Sequence, residues 1–504
     1  MNGRKEQGDY QTPLSFTDEV CRFLRDDKKV APGIIIEPTC GKGHFIKSSL
    51  IFGARHIYGV EINEDYCQAC RKSVDDERVS VANANFFTYD FPAVGEDELL
   101  VLGNPPWVNN STLSALGSDN LPGKSNFKGL KGYDAMTGSS NFDICEYMIE
   151  ALLCRYQSKG VTIAMLCKTS VARNVFEEMR RARIGCDEIA IYEFDAARIF
   201  SINASACLLY IKQNPSSPPP AKCEVYDFER RTEPRSAFGY REGVFYSRLG
   251  KEEDDFNGSS CFEWRQGVKH DCAKIMELTK ATDRYENGHC RQLDLEDSLI
   301  YPLVKSSMFK SPVISSFTRY VIVTQRKAGD STEYIREYAP KLWSYLWENK
   351  ESFDKRKSVI YSKGPQFAMF GVGDYTFSAY KVGVSGFYKT PLFSLLSSKN
   401  GKPVMTDDTG YYICFETYDA AYAAMLYLNS DRVQRFLTTI AFIDSKRPYT
   451  KKVLSRLDFG KITRAVSFAE VQETERRLNL SPMITQRMVD DFRDAVKHRT
   501  MSLL

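Results

Sequence analysis

The sequence predicts an α/β protein: a Rossmann-like domain, followed by an α+β domain. Three observations carry this reading. Short apolar runs alternate with helix-periodic stretches through the first ~210 residues. Two of those runs end in turns dense in glycine or proline, where an open α/β sheet holds its ligands. A proline-rich break, Gln213-Asn-Pro-Ser-Ser-Pro-Pro-Pro-Ala221, then separates two regions of opposite charge.

Gly33-Ile-Ile-Ile-Glu37 reads as a strand, Pro38-Thr39-Cys40-Gly41-Lys-Gly43-His-Phe45 as a glycine-rich turn, and Ile46 to Phe52 as a helix. Strand, turn and helix in that order let a backbone approach a nucleotide-like ligand closely. The spacing is not the dinucleotide GxGxxG. His56 to Glu61 is a second strand ending in a carboxylate, about twenty residues past the turn, as suits a ribose diol. The plain alternative for Glu61 is a solvated strand end. Asn83-Ala-Asn85-Phe86-Phe87 sets an amide and an aromatic ahead of the next strand, where they could bracket an adenine ring.

That strand, Leu99 to Gly103, ends in Asn104-Pro105-Pro106-Trp107. An exocyclic amine on an aromatic base is a poor nucleophile, because its lone pair is delocalised into the ring. The Asn104 amide oxygen and the Pro105 carbonyl can each accept one amine hydrogen, which localises the lone pair toward an electrophile. Consecutive prolines hold φ near one value and keep those acceptors oriented. Trp107 offers a flat face for an extruded base, or simply packs in the core.

These residues resemble the motifs of gamma-class DNA adenine-N6 methyltransferases of type II restriction–modification systems. In that class a Thr-Pro segment precedes the glycine turn and a target-recognition domain follows the catalytic domain. Tyr10-Gln-Thr12-Pro13 stands ahead of the turn here. The resemblance implies a seven-stranded sheet for the first domain and S-adenosyl-L-methionine as cofactor. Thr12, with Tyr10 and Pro13 beside it, would hold the methionine carboxylate. Thr39, Cys40 and Gly41 would line the methionine and sugar, within a turn that also includes Glu37, Gly43 and Phe45. Glu61 would take the ribose hydroxyls, with Ile62 next to it. Asn85 and Phe86 stand where the family has Asp-Phe against the adenine, and an amide accepts more weakly there than a carboxylate. Phe200, in Ile199-Phe-Ser-Ile-Asn-Ala204, matches an aromatic that stacks on the flipped base; read from the residues alone, a core position at a strand start is equally open. The activity implied is methyl transfer to the N6 of a flipped adenine in double-stranded DNA, without a covalent intermediate. It would protect host DNA from a separately encoded restriction endonuclease. Asn rather than Ser at the head of the loop points to adenine over cytosine. RNA adenine and protein-glutamine methyltransferases share this loop, and a DNA-binding subunit with a vestigial cofactor fold is the non-enzyme alternative.

The pattern continues with a helix over 141–156, a strand over 160–166, a helix over 170–183 and strands over 188–194 and 204–212, the last antiparallel by the resemblance. Val108 to Gly138 has no period and reads as a lid or clamp. The expected domains are 1–212 (catalytic), 213–222 (linker) and 223–504 (target recognition), with helices from about residue 467. Residues 1–213 carry 24 Lys and Arg against 28 Asp and Glu, and residues 214–504 carry 44 against 37. A basic second half fits a polyanion. Within it, Lys355, Arg356, Lys357, Lys381, Lys389, Lys446, Arg447, Lys451 and Lys452 interleave with aromatics and are the expected DNA contacts.

Other readings are set aside. Cys67-Gln-Ala-Cys70 lacks a second pair, so no metal is expected. Glu296-Asp297 followed by Lys305 has poor spacing for a nuclease centre. No 18-residue apolar run implies a membrane span. Scattered cysteines without a secretory signal suit the cytoplasm, and a monomer is the default.

Overall fold

The computed structural model describes residues 10–91, 94, 98–108, 143–250, 254–281, 284–356, 358–361 and 364–501. The chain divides into two units, Met1–Leu249 and Gly250–Leu504.

The strands of the first unit are β1 Ile34–Glu37, β2 His56–Glu61, β3 Val79–Asn83, β4 Leu99–Gly103, β5 Thr162–Lys168, β6 Cys186–Asp195, β7 Ser205–Gln213, β8 Lys222–Asp227, β9 Ser236–Arg241 and β10 Val244–Tyr246. Its helices are α1 Leu14–Arg22, α2 His44–Ser49, α3 Glu64–Ser73, α4 Ile144–Arg155, α5 Thr169–Arg181 and α6 Ala196–Phe200. β1 is buried at all four positions because it pairs in parallel with β2 on one side and β4 on the other. A strand covered on both faces needs an unbroken apolar run, which is what Ile34 to Ile36 and Leu99 to Leu102 supply. β3 extends the sheet beyond β2 and β5 beyond β4, both in parallel. β7 lies antiparallel between β5 and β6. The helices bury one face each. In α5, Val171, Ala172, Val175, Phe176 and Met179 recur at helical spacing and are all buried, each large side chain contributing roughly 1.5–3 kcal/mol. Phe16 and Phe23, from α1 and the wider turn that prolongs it, meet Phe194, Tyr192 and Phe228 edge-on at 4.7–5.8 Å.

Three expectations are corrected. Among the described residues the sheet has ten strands, in the order β10-β9-β8-β6-β7-β5-β4-β1-β2-β3, not seven. The first unit accordingly ends at Leu249, so residues 223–249 belong to it and not to the second domain. The Pro-rich segment is not a spacer but a crossover loop fastened to the sheet. The N–H of Asn214 donates to Gly185 O (3.1 Å), that of Cys186 to Pro218 O (3.2 Å), and the Asn214 side-chain amide to Asp187 (2.9 Å). β8 then pairs in parallel with β6. The charge contrast survives this shift: residues 1–249 carry 30 Lys and Arg against 33 Asp and Glu, residues 250–504 carry 38 against 32.

The second unit holds two sheets. One is built from β11 Arg265–Gln266, β16 Val313–Ile314, β18 Tyr380–Ser385, β19 Ser394–Ser397 and β21 Gly410–Phe415. The other comprises β12 Glu277–Ala281, β13 Arg284–Asn287, β14 Gln292–Leu293, β15 Ile300–Val304, β17 Arg319–Ile322 and β20 Met405–Thr406. Helix α7 Pro340–Glu348 packs Leu342, Tyr345 and Leu346 into the core of the second sheet with Ile300, Ile322 and Phe367. Val359–Tyr361 is a 3-10 turn. The longer helices that follow include α8 Tyr418–Asn429, α9 Phe468–Arg477 and α10 Gln486–Met501. α9 starts at Ser467 through a capping box with Glu470. No helix among the described residues is long and apolar enough to cross a membrane.

Candidate active site

The turns at the carboxyl ends of β1, β2, β3 and β4 surround a cavity of ≈ 250 Å³. The glycine turn forms one wall. Gly41 and Gly43 sit at φ +53° and +84°, and a Cβ on Gly43 would stand 2.4 Å from the Cys70 sulfur on α3. That close approach accounts for Cys70 within the Cys67-x-x-Cys70 pair as packing, both thiols being buried. The N–H of Gly41 donates to Glu61 Oε2 (2.8 Å) and that of Asn63 to Oε1 (2.7 Å), so the carboxylate at the end of β2 holds the turn in place. Glu37 is buried, and burial first, then Cys70 and Glu61 nearby, hold its carboxyl well above the usual carboxylate range. Its Oε2 and the Thr39 hydroxyl are buried with no hydrogen-bond partner among the described residues.

A second wall is the arm ahead of α1. His44 Nδ1–H donates to the Thr12 carbonyl (2.6 Å), and the N–H of Lys42 donates to Gln11 Oε1 (3.2 Å). The arm is therefore fastened to the glycine turn, and it reaches across to the end of β4. There the Asn104 side-chain Nδ2 donates to the Tyr10 carbonyl (2.9 Å) and to Thr12 Oγ1 (3.2 Å). A carbonyl can only accept, so the amide has one orientation, with Oδ1 on the other side. Asn104 Oδ1 is buried and has no partner among the described residues. Asn104 and Pro106 line the cavity.

Trp107 does not line it. Its Nε1–H donates to Leu166 O (3.3 Å), and its ring is 6% exposed. The face expected to be open is taken by Phe200, 5.5 Å away edge-on, and by Tyr10 at 6.1 Å. Phe200 is half-buried in the same cluster. The loop is also held from below: Lys168 Nζ donates to Trp107 O (3.1 Å) and to Asp143 Oδ2 (2.7 Å). Burial raises the Asp143 carboxyl, with Lys168 opposing it, and Asp143 caps α4 through Cys145 N–H.

Of the residues expected at the site, Tyr10, Thr12, Glu37, Thr39, Cys40 and Gly41 line the cavity on the arm and turn. Phe45, Glu61, Ile62 and Phe86 complete it, with Ile62 unusually exposed for its type at 47%. Pro13, Gly43, Asn85 and Pro105 stand outside the lining. Asn85 spends its Oδ1 on the Phe87 N–H (2.9 Å), closing a turn. Sequence reasoning missed Gln11, His44, Asn63, Tyr66 and Met148 in the lining, and Asp143 with Lys168 beneath the loop. Asp143 carried a signal, an N-cap residue directly before an apolar-periodic run; the others had none.

The expected DNA contacts divide. Lys381 is buried, donating to Thr376 O (2.8 Å) and Val404 O (2.6 Å), so it is not a surface cation; burial pushes its amine down to about 8. Arg356 lies 3.8 Å over Tyr361 and donates to Ala368 O and His270 O, a packing role. Arg447 lies over Phe387 and donates to Asp408 O. Lys389, Lys446, Lys451 and Lys452 are exposed, Lys451 lying 3.6 Å from Glu263. Lys355 pairs with Glu351 on the surface. Lys357 and the 109–142 segment, which contains most of the expected lid, lie outside the described residues. Glu296 caps α7 through the N–H groups of Lys341 and Leu342, Asp297 bonds Tyr285 and Lys402, and Lys305 pairs with Glu277.

Over 472 residues the chain is 36% identical to the type II methyltransferase M.NspV of a Nostoc species, covering 92% of this chain and 98% of that one. It belongs to the type II methyltransferases. A second type II methyltransferase, M.CvrRI of a Paramecium bursaria Chlorella virus, is 26% identical over 174 residues, covering 34% of this chain and 39% of its own. Among solved structures, the restriction–modification enzyme MmeI in complex with DNA superposes on 97% of the chain and 72% of its own, with a TM-score of 0.53 at 12% identity. No protein-family model matches. Membership makes the present chain a modification methyltransferase, and the cavity at the switch point between β1 and β4 is where a sheet of this kind binds its ligand.

Proposed function

We propose that this type II methyltransferase transfers a methyl group from S-adenosyl-L-methionine to the N6 amine of an adenine flipped out of double-stranded DNA. The carrying observation is the Asn104 amide: both of its N–H bonds go to the arm, and its buried Oδ1 is left without a partner at the cavity. A buried acceptor without a donor costs about 1–3 kcal/mol, and a substrate N–H would recover it.

The residues present fit the cofactor. Glu37 Oε2 and the Thr39 hydroxyl are unpartnered polar atoms in the glycine turn, suited to the ammonium and carboxylate of a methionine. Glu61 lines the cavity at the end of β2, where a carboxylate suits a ribose diol, and Ile62 and Phe86 give apolar surface for a purine. When bound, the cofactor supplies an electrophilic methyl group on a sulfonium. Asn104 Oδ1 and the Pro105 carbonyl would accept the two hydrogens of the adenine amine, turning its lone pair toward that methyl group. The rigid Pro105-Pro106 backbone keeps both acceptors in place while the base arrives. The second unit would hold the duplex, with the exposed Lys389, Lys446, Lys451 and Lys452 as phosphate contacts; MmeI, which shares the fold, is solved in complex with DNA.

The test is transfer of labelled methyl from S-adenosyl-L-methionine to unmethylated genomic DNA, followed by nucleoside separation. Wild type should yield N6-methyladenine. Asn104→Ala should lose at least 100-fold in rate while binding S-adenosylhomocysteine as wild type does. N4-methylcytosine, or label found only in RNA or protein, would overturn the assignment.

A further inference from the structure

Thr12 touches two things at once. Its Oγ1 accepts from Asn104 Nδ2 (3.2 Å), and the residue lines the cavity beside the glycine turn while being 6% exposed. A threonine hydroxyl has one proton and two lone pairs. Among the described residues the hydroxyl's one bond is the bond it accepts, so its own proton is directed away from Asn104. The backbone on which it sits is fixed, since the Thr12 carbonyl takes the His44 Nδ1–H at 2.6 Å and Pro13 O takes the Phe16 N–H at 3.0 Å.

We propose that Thr12 is a positioning residue that relays occupancy of the cofactor pocket to the Asn104 amide. The proposal rests on the reading above, in which an α-amino acid carboxylate lies in this cavity. A carboxylate there accepts the Thr12 O–H. That fixes the hydroxyl rotor with a lone pair facing Asn104, and it makes Oγ1 a stronger acceptor toward Nδ2. Pulling on the amide N–H bonds shifts density onto Oδ1 through the amide resonance, so Oδ1 accepts more strongly from the substrate amine. The chain runs carboxylate, Thr12 hydroxyl, Asn104 NH2, Asn104 Oδ1, substrate N–H, with every donor pointing the same way. The Tyr10 carbonyl takes the other Nδ2 hydrogen at 2.9 Å and sets the amide orientation whether or not the pocket is filled. Thr12 adds the part that depends on the cofactor.

The consequence is a kinetic division. A residue that only holds the cofactor raises KM; a relay also lowers the rate once the cofactor saturates. The experiment is single-turnover methyl transfer to unmethylated genomic DNA at saturating donor, comparing wild type, Thr12→Val and Thr12→Ser. S-adenosyl-L-methionine and its decarboxylated analogue, which lacks the carboxylate, serve as donors. Thr12→Val should be about tenfold slower at saturation and Thr12→Ser within twofold of wild type; in direct titration without DNA, Thr12→Val should also bind S-adenosylhomocysteine more weakly than Thr12→Ser, and equal affinities would overturn the Thr12–carboxylate contact on which the relay depends. The decarboxylated donor should slow wild type by a similar factor yet slow Thr12→Val no further, since the relay is cut in both cases. Thr12→Val matching wild type at saturation, with only KM raised, overturns the relay, and so do losses that multiply. Wild type that transfers no methyl group from either donor sinks the underlying reading and the relay with it. Failure of the relay alone leaves wild-type transfer and its loss in Asn104→Ala untouched.

Discussion

At the scale of single residues, the same amino-acid types do opposite work according to burial. Lys381 sits in a basic, aromatic-rich run and reads as a phosphate contact, but it occupies the middle of a sheet with neighbours on both sides. Its amine falls to about 8 from 10.5, with burial as the leading cause. The folded state therefore releases the proton before the unfolded chain does. The stability contribution is fully present above the unfolded value and is lost as pH falls through about 8. Wild type should gain roughly 3 kcal/mol relative to Lys381→Met between pH 7.5 and 10.5, read from urea unfolding at each pH. Parallel pH curves for the two proteins would place the amine in solvent instead. Asn104 shows what could be read at this scale: the tetrapeptide Asn-Pro-Pro-Trp predicts an amide acceptor at the strand end, and Asn104 Oδ1 is buried there without a partner among the described residues. What aims that acceptor is a carbonyl 94 positions away and a hydroxyl 92 away, and no local pattern announces a contact at such separation.

Elements were legible where their environment was simple. β1, β2 and β4 announced themselves because buried parallel strands need continuous apolar runs. β3 did not, since its burial is mixed along its length and Asn83 and Ser80 break the run. β8 to β10 were hidden behind Asn214-Pro-Ser-Ser-Pro-Pro-Pro220, whose composition matches a linker while its backbone is bonded to Gly185 and Cys186. Helix α9 was anticipated at the right residue because a capping box is local: Ser467 and Glu470 each satisfy the other's backbone. Ser467→Ala should cost about 1 kcal/mol, lowering the thermal midpoint by roughly 2–4 °C. Methyl transfer at 25 °C should stay as in wild type, because the cap lies in the second unit and outside the cavity. A midpoint unchanged within error would mean that Glu470 alone caps the helix.

For the whole molecule, charge separates the two units more clearly than composition does. The second unit carries a surplus of six positive charges and the first a deficit of three, which suits a cofactor domain joined to a polyanion-binding one. Only the exposed cations can contribute to that field. Replacing Lys389, Lys446 and Lys452 together with alanine should weaken DNA binding and flatten the dependence of log K on log salt by roughly 0.9 for each phosphate no longer neutralised. Lys381→Met should leave that slope as it is, and a triple variant with the wild-type slope would move the DNA path elsewhere on the protein.

The arm that ends at Pro13 sits outside every strand and helix of the fold. A proteolytic cut just ahead of Leu14 would spare the ten-stranded sheet, the glycine turn and Glu61, so the remaining protein should still be a stable scaffold that keeps most of the cavity wall. It would lack the carbonyl and hydroxyl that aim Asn104. Such a nick would turn a catalyst into a silent competitor for its own recognition sites, occupying DNA without marking it.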